Sequence, residues 1–121
     1  MNINKNSEAK YMISIDTKKE NGHDLLIIRG EVDASNSVIL DEAIQKLISE
    51  GSKSILVDGH GLEYISSAGL GVFMSYLEDF QEKNIQLKIF ALTPRVYEVF
   101  KILGLDQLIE ILPDKKAAFS F

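Results

Sequence analysis

The chain has 121 residues, of which 45% are hydrophobic and 26% charged, the balance of one globular domain with one core. Its net charge of -5, from 18 acidic and 13 basic residues, argues against general nucleic-acid binding and against anionic membranes, which both call for a basic face. With no cysteine, disulfides and thiolate metal sites are excluded.

The first ten residues, "MNINKNSEAK", are polar and lack the apolar stretch of a secretory signal. They read as a flexible tail, and residues 11–121 as a single domain. No apolar run approaches the ~20 residues that span a bilayer, so a cytoplasmic protein is expected. "YMISIDTKK" sets Tyr11, Ile13 and Ile15 against Met12, Ser14 and Asp16, the alternation of a half-buried strand. Asn21-Gly22 signals a turn, which also takes in His23. "LLIIRG" (25–30) is a near-continuous apolar run, as in a strand covered on both faces, and completes a hairpin.

Asp33, Ser35 and Asn36 then offer helix caps. Leu40, Ala43, Ile44, Leu47 and Ile48 follow at helical spacing, and Gly51 marks the stop. "SILVDG" (54–59) reads as a short buried strand ending near Asp58, with "DGHGLEYI" as a connection. Residues 67–83 predict a helix with Leu70, Phe73, Met74, Leu77 and Phe80 on one face. "IQLKIFAL" (85–92) alternates as a strand. "TPRVYEVFKILG" carries a Thr93 cap, Pro94 at the first helical position and Gly104 just past the end, with Val96, Phe100 and Leu103 as its apolar face. Residues 108–112 predict a short edge strand and 114–121 a short terminal helix. Strands alternating with helices imply an α/β fold with a mainly parallel sheet and right-handed crossovers, the hairpin adding one antiparallel pair.

Two adjacent hydroxyls, Ser66 and Ser67, fall at the junction of a strand's carboxyl end and a helix start, where open α/β sheets place their sites. The hydrolase elbow G-x-S-x-G is incomplete, because Ile65 stands where the first glycine belongs. A serine nucleophile also needs a base, and nothing in the sequence places His23 or His60 against Ser67. No phosphate loop is present, since "GHGLEY" lacks its last glycine and no G-K-[ST] occurs. Asp58, His60 and Glu63 are close in sequence but read as an ordinary loop, with Gly59 and Gly61 serving its geometry, and no metal is expected. Ser66 as an N-cap accounts for one hydroxyl. A phosphoryl group on Ser67 would sit at a helix N-terminus, where an anion is tolerated, and would present a new charge to any docked partner.

These residues also carry a family resemblance. "GEVD" (30–33), "ILVDGHGLEYISSAGLGVF" (55–73) and "TPRVYEVFKILGLDQLIEI" (93–111) are similar, in order, to the elements of STAS domains, the fold of bacterial anti-sigma factor antagonists. The resemblance covers residues 11–112. It implies a STAS-type mixed, mainly parallel sheet of four to five strands with helices packed mainly on one face. It implies a non-enzymatic binding protein without cofactor, working by partner switching. When unphosphorylated, such a protein binds an anti-sigma factor that is also a serine kinase of histidine-kinase-type ATPase fold. Phosphorylation releases it, and a PP2C-type phosphatase restores it.

The family's phosphoacceptor falls on Ser67, with Ser66 as the alternative, because Ser66 occupies the position where many members carry aspartate. Ala68 follows where Ser or Thr is common. The expected partner-binding set is Asp33, Asp58, Ser66, Ser67, Gly69, Leu70 and Met74. Asp33 reads equally as a helix cap, Asp58 as a loop-orienting residue, and Gly69 and Gly71 as close packing against the sheet. A STAS subunit of another signalling or lipid-transport assembly, and a small-molecule or nucleotide module at the strand carboxyl ends, are the alternative functions.

Overall fold

Asn21 (φ 53°) and Gly22 (φ 82°) both adopt left-handed backbone, the two-residue turn that matches the twist of a hairpin. It joins β1 (Ile13–Glu20) to β2 (His23–Val32), which pair antiparallel from Glu20–His23 to Ile13–Gly30. His23 is thus the first residue of β2, not part of the turn. The chain continues through α1 (Ser37–Ser49), β3 (Ser54–Ile65), α2 (Ser67–Glu82), β4 (Gln86–Phe90), α3 (Pro94–Ile102), a 3-10 turn (Leu105–Gln107), β5 (Glu110–Leu112) and α4 (Lys115–Phe119). The computed structural model describes residues 13–120. The expected polar tail, Tyr11 and Met12 of the first strand, and Phe121 of the last helix lie outside them.

The sheet order is β1-β2-β3-β4-β5, and every pair after the hairpin is parallel. Each crossover therefore moves one strand over in the same direction, so a single crossover hand puts α1, α2 and α3 on one face. There they bury Leu40, Ile44, Leu70, Phe73, Val96 and Phe100 against Leu26, Ile28, Ile55, Val57 and Ile89. The rings of Phe73 and Phe100, 6.1 Å apart, join α2 to α3. The opposite face carries a smaller cluster, Leu25, Leu56 and Phe90 under Ala118 of α4. Both faces of β2 and β3 are covered, which is why their sequences read as unbroken apolar runs. The predicted mixed sheet, with helices mainly on one face, is the observed one.

One expectation about β3 is corrected. Residues 58–65 are not a connection but the second half of a 12-residue strand. β2 is long enough to keep offering ladder partners, and β3 follows it to Val32–Ile65 with register shifts after Ile27 and after Gly30. At each shift β3 carries one more residue than β2, which bends the strand. The glycines that suggested a loop are points of close approach instead. A Cβ on Gly59 would lie 2.4 Å from Leu92 Cδ2, and one on Gly61 2.9 Å from Arg29 Cγ. Leu103 is a second correction: it is 53% exposed, and Leu105 of the 3-10 turn is buried in the core instead.

Asp24 is a buried carboxylate near the start of β2, with Lys19 Nζ at 2.7 Å. Burial pushes its carboxyl up, but hydrogen bonds from Lys19 and Ser52, together with the Lys19 charge, hold it below the usual carboxylate range. Its contribution to stability is therefore fully present above the unfolded value of about 3.9 and is lost as pH falls through the lower folded value. Urea unfolding midpoints from neutral to strongly acidic pH should show this. The gap between the parent protein and Asp24→Asn is expected to shrink as pH drops below the usual carboxylate range. A gap that is constant with pH would contradict the assignment.

Candidate functional site

β2 and β3 end side by side at Val32 and Ile65. The next peptide is fixed by Ser66 N–H donating to Val32 O at 2.8 Å. Ser66 keeps an extended backbone (φ -88°, ψ 175°), and its hydroxyl accepts from Gly69 N–H at 3.5 Å, so it is the N-cap of α2. Leu70 N–H closes the first helical turn onto Ser66 O at 3.0 Å. This tight exit is possible because Gly69 has no side chain. A Cβ there would stand 2.7 Å from both Ile65 Cγ1 and Val32 Cγ1. The first turn of α2 thus rests directly on the strand ends.

That placement sets the phase of the helix. Leu70, Phe73 and Phe80 turn into the core. Ser67, the first helical residue, is exposed. Ser67, Gly71 and Met74 follow at i, i+4 and i+7, a single outward stripe, with Met74 50% exposed. A Cβ on Gly71 would meet open space. The first turn of α2 carries no acidic side chain. Its carboxylates Glu78, Asp79 and Glu82 all come later. The partial positive charge of the helix start is therefore not offset by a carboxylate within its own first turn.

The turn from Asp33 to Asn36 lies beside this exit. Asn36 is fully buried. Its Oδ1 accepts from Asp33 N–H and its Nδ2 donates to Glu31 O, both at 2.9 Å. Asp33 Oδ1 accepts from Ser35 Oγ at 2.6 Å and from Ser35 N–H at 2.9 Å. Those two bonds, the hydroxyl first, hold the Asp33 carboxyl below its ordinary range. Asp33 thus closes the turn before α1 rather than capping the helix, whose N-cap position is Asn36. Further along, Tyr76 of α2 donates its hydroxyl to the Asp41 carboxylate of α1. Burial, and then that acceptor, push the Tyr76 hydroxyl well up, so it stays a donor tying the two helices together.

Residues 14–118 match the family model of the STAS domain. The chain belongs to the STAS domain family. Among curated relatives it is 30% identical, over 82% of this chain and 88% of the relative, to the anti-sigma-B factor antagonist of Listeria monocytogenes. Among solved structures it resembles an anti-sigma factor antagonist from Mycobacterium paratuberculosis, with TM-score 0.82 at 19% identity over 89% of this chain and 92% of the other. It also resembles the Bacillus cell fate determinant SpoIIAA in its phosphorylated form, with TM-score 0.63 at 18% identity over 86% and 96%.

This STAS domain gathers only some of the residues singled out from sequence. Ser66, Ser67 and Met74 share the exit of β3 and the outward stripe of α2, and Asp33 borders them. Leu70 is a correction: at 1% exposure it has no side chain to offer a partner. Gly69 is likewise buried, so its reading as close packing holds. Asp58 sits mid-strand between Ile27 and Phe90, roughly 20–25 Å of strand from Ser66. Its Oδ1 accepts from His60 N–H at 2.9 Å. It does not reach the serines.

Neither does either histidine. His60 is about 15–20 Å back along β3. His23, at the far end of β2, lies with Nδ1 2.7 Å from Ser54 Oγ. Among the described residues no three His, Asp or Glu side chains converge as a metal site. Sequence reasoning missed Val38, 56% exposed in the first turn of α1. The signal was there, because Val38 is out of phase with the Leu40–Ile44–Leu47 stripe.

The geometry makes Gly69 and Gly71 opposites. Gly69→Ala is expected to lower stability by about 1–3 kcal/mol, because two packed side chains must move. Gly71→Ala is expected to raise it by about 0.5–1 kcal/mol through helix propensity. Chemical denaturation of both variants checks this, and equal effects would contradict the close contact. Ser66→Ala is expected to cost about 0.5–1 kcal/mol in the same assay, the low part of the capping range because the cap bond is long.

Proposed function

We propose that this STAS domain is a non-enzymatic anti-sigma factor antagonist, released from its partner when Ser67 is phosphorylated. The observation that carries the reading is the division of labour between the two serines. The Ser66 hydroxyl is engaged in the helix cap, while Ser67 is exposed at the start of α2 on the same stripe as Met74. The curated relative named an anti-sigma-B factor antagonist and the structural neighbour solved in phosphorylated form support it.

The partner is an anti-sigma factor that is also a serine kinase of histidine-kinase-type ATPase fold. It docks on the end of the molecule formed by the Asp33–Asn36 turn, Val38, Ser67 and Met74. Phosphoryl transfer moves the γ-phosphoryl of ATP to Ser67 Oγ, whose proton leaves, and ADP departs. The kinase supplies the base and the metal-bound nucleotide, and this chain supplies only the acceptor. The product carries roughly -1.5 to -2 charges at Ser67. The helix start accepts that charge, so the fold need not change. A partner surface shaped to an uncharged stripe loses tenfold in affinity for each 1.4 kcal/mol of desolvation and repulsion. A PP2C-type phosphatase hydrolyses the ester and resets the cycle.

The cytoplasm, where ATP and sigma factors meet, is the expected compartment. Among the described residues no helix is long and apolar enough to cross a membrane. The small-molecule alternative has less support. The cleft at the carboxyl ends of β4 and β5, about 380 Å³, is lined by Leu92, Pro94, Tyr97, Ile111, Leu112 and Pro113. It lacks the convergent polar groups that orient a nucleotide.

Incubation with the cognate kinase and ATP, followed by mass spectrometry, is expected to place one phosphate on Ser67. Ser67→Ala should retain the anti-sigma factor, and Ser67→Asp should weaken its capture by at least about tenfold. Phosphate on Ser66 alone, or equal binding by both variants, would overturn the assignment.

A further inference from the structure

Asn36 stands at the N-cap position of α1, yet its side chain does not cap the helix. An asparagine there ordinarily accepts from a first-turn N–H of its own helix. This one turns back into the fold, where it is fully buried. Its Oδ1 accepts from Asp33 N–H and its Nδ2 donates to Glu31 O, both at 2.9 Å. Burying an amide is costly unless it is hydrogen-bonded. Here those bonds go to the preceding turn, and the helix forgoes its side-chain cap.

The same bonds interlock with the exit of α2. Asn36 holds the carbonyl of Glu31 and the N–H of Asp33. Between them, the carbonyl of Val32 accepts from Ser66 N–H at 2.8 Å. Successive residues at the end of β2 are thus tied alternately to the start of α1 and to the start of α2. Ser37 N–H adds a backbone bond to Asp33 O at 2.9 Å. The turn that projects from this frame exposes Ala34 and Ser35, and Val38 follows it in the first turn of α1. Its offset from Ser67 is therefore set from inside, by a buried amide. A hydrogen-bonded pair has a direction and a length, so it specifies one arrangement where apolar packing tolerates several.

We propose that Asn36 is a positioning residue for phosphorylation of Ser67: it holds the Asp33–Ser35 turn at a fixed offset from the acceptor, so that the kinase partner docks on a surface already in register. The role rests on the reading of Ser67 as the acceptor. Asn36 is buried and touches neither partner nor phosphate, so it acts through residues 31–33. Without it the turn is freed, and a partner must order it again on binding. Docking weakens, while transfer from the docked complex is unchanged, because Ser67 keeps the Ser66 cap and the seat of Gly69 that fix it.

Steady-state phosphorylation by the cognate kinase, with the purified full chain as the varied substrate, tests this. Asn36→Ala is expected to raise KM at least about tenfold, the order expected when a residue or two must be re-ordered on binding, with kcat within about twofold of the parent. Asn36→Ser, whose hydroxyl is too short to make both bonds, should act in the same direction and carries the test should Asn36→Ala not fold. Ile109→Ala, a core truncation beside the start of β5, is the control for lost stability and should keep the parent KM, with urea midpoints comparing the variants. In the parent, the Asp33 amide is expected to exchange slowly before any kinase is added. A parent KM in the folded Asn36 variants, an equal rise in Ile109→Ala, a fall in kcat at constant KM, or an Asp33 amide protected only in the complex would overturn the positioning role alone. A parent chain left without phosphate on Ser67 would overturn the underlying reading, and this role with it.

Discussion

The contact of Gly69 with the side chains of Val32 and Ile65 sets the geometry of the functional end. It exists because β2 and β3 stay paired to their last residues and because Ser66 is tied back to Val32. With the helix start seated on the strand ends, Ser66 can only cap and Leu70 and Phe73 can only face inward. Ser67 is then forced outward. The exposure of the proposed acceptor is thus a consequence of packing two positions away, not a separate device.

The same packing explains how a large charge change could be read without a change of shape. The helix is held from below by Leu70, Phe73 and Phe80 and from the side by the Tyr76–Asp41 bond. A rigid support transmits little, so a phosphate on Ser67, as proposed, would act through its own charge and hydration rather than by moving elements. Its helix start has unpaired N–H groups and no acidic side chain in its own first turn. Stability and signalling are therefore separable here. Residues that fix the helix lie under it, and the residues proposed to meet a partner lie along one stripe above it.

Much of the fold was legible because hydrophobic period and turn chemistry agree. The Asn21-Gly22 hairpin, α2 and the Thr93–Pro94 start of α3 fall where their residues predict, and the STAS-type architecture is the observed one. The misses have physical causes. Gly59 and Gly61 look like loop residues, yet they are strand positions where Leu92 and Arg29 leave no room for a Cβ. Reading them as loop moved Asp58 to the sheet edge and made it a site residue, when some eight further residues of strand separate it from the serines. Period put Leu70 rightly on the buried face with Phe73 and Phe80, and only the family resemblance set it among partner residues; Met74, read on the same face, is exposed because helical period locates a face only to within about one residue. Val38 was overlooked since an apolar residue off the buried stripe reads as noise until its exposure is known. The identity of Ser66 as a cap was readable from sequence, and its bond to Gly69 N–H is the observed cap.

The central claim is that Ser67 can carry a phosphate that changes the surface and leaves the fold in place. Comparison of backbone amide chemical shifts before and after stoichiometric phosphorylation tests it most directly. Shifts confined to residues 33–38 and 64–75, with β1, β4 and α3 unchanged, are the predicted result. Shifts spread through the sheet and α3 would mean that phosphorylation works by refolding, and would contradict the account.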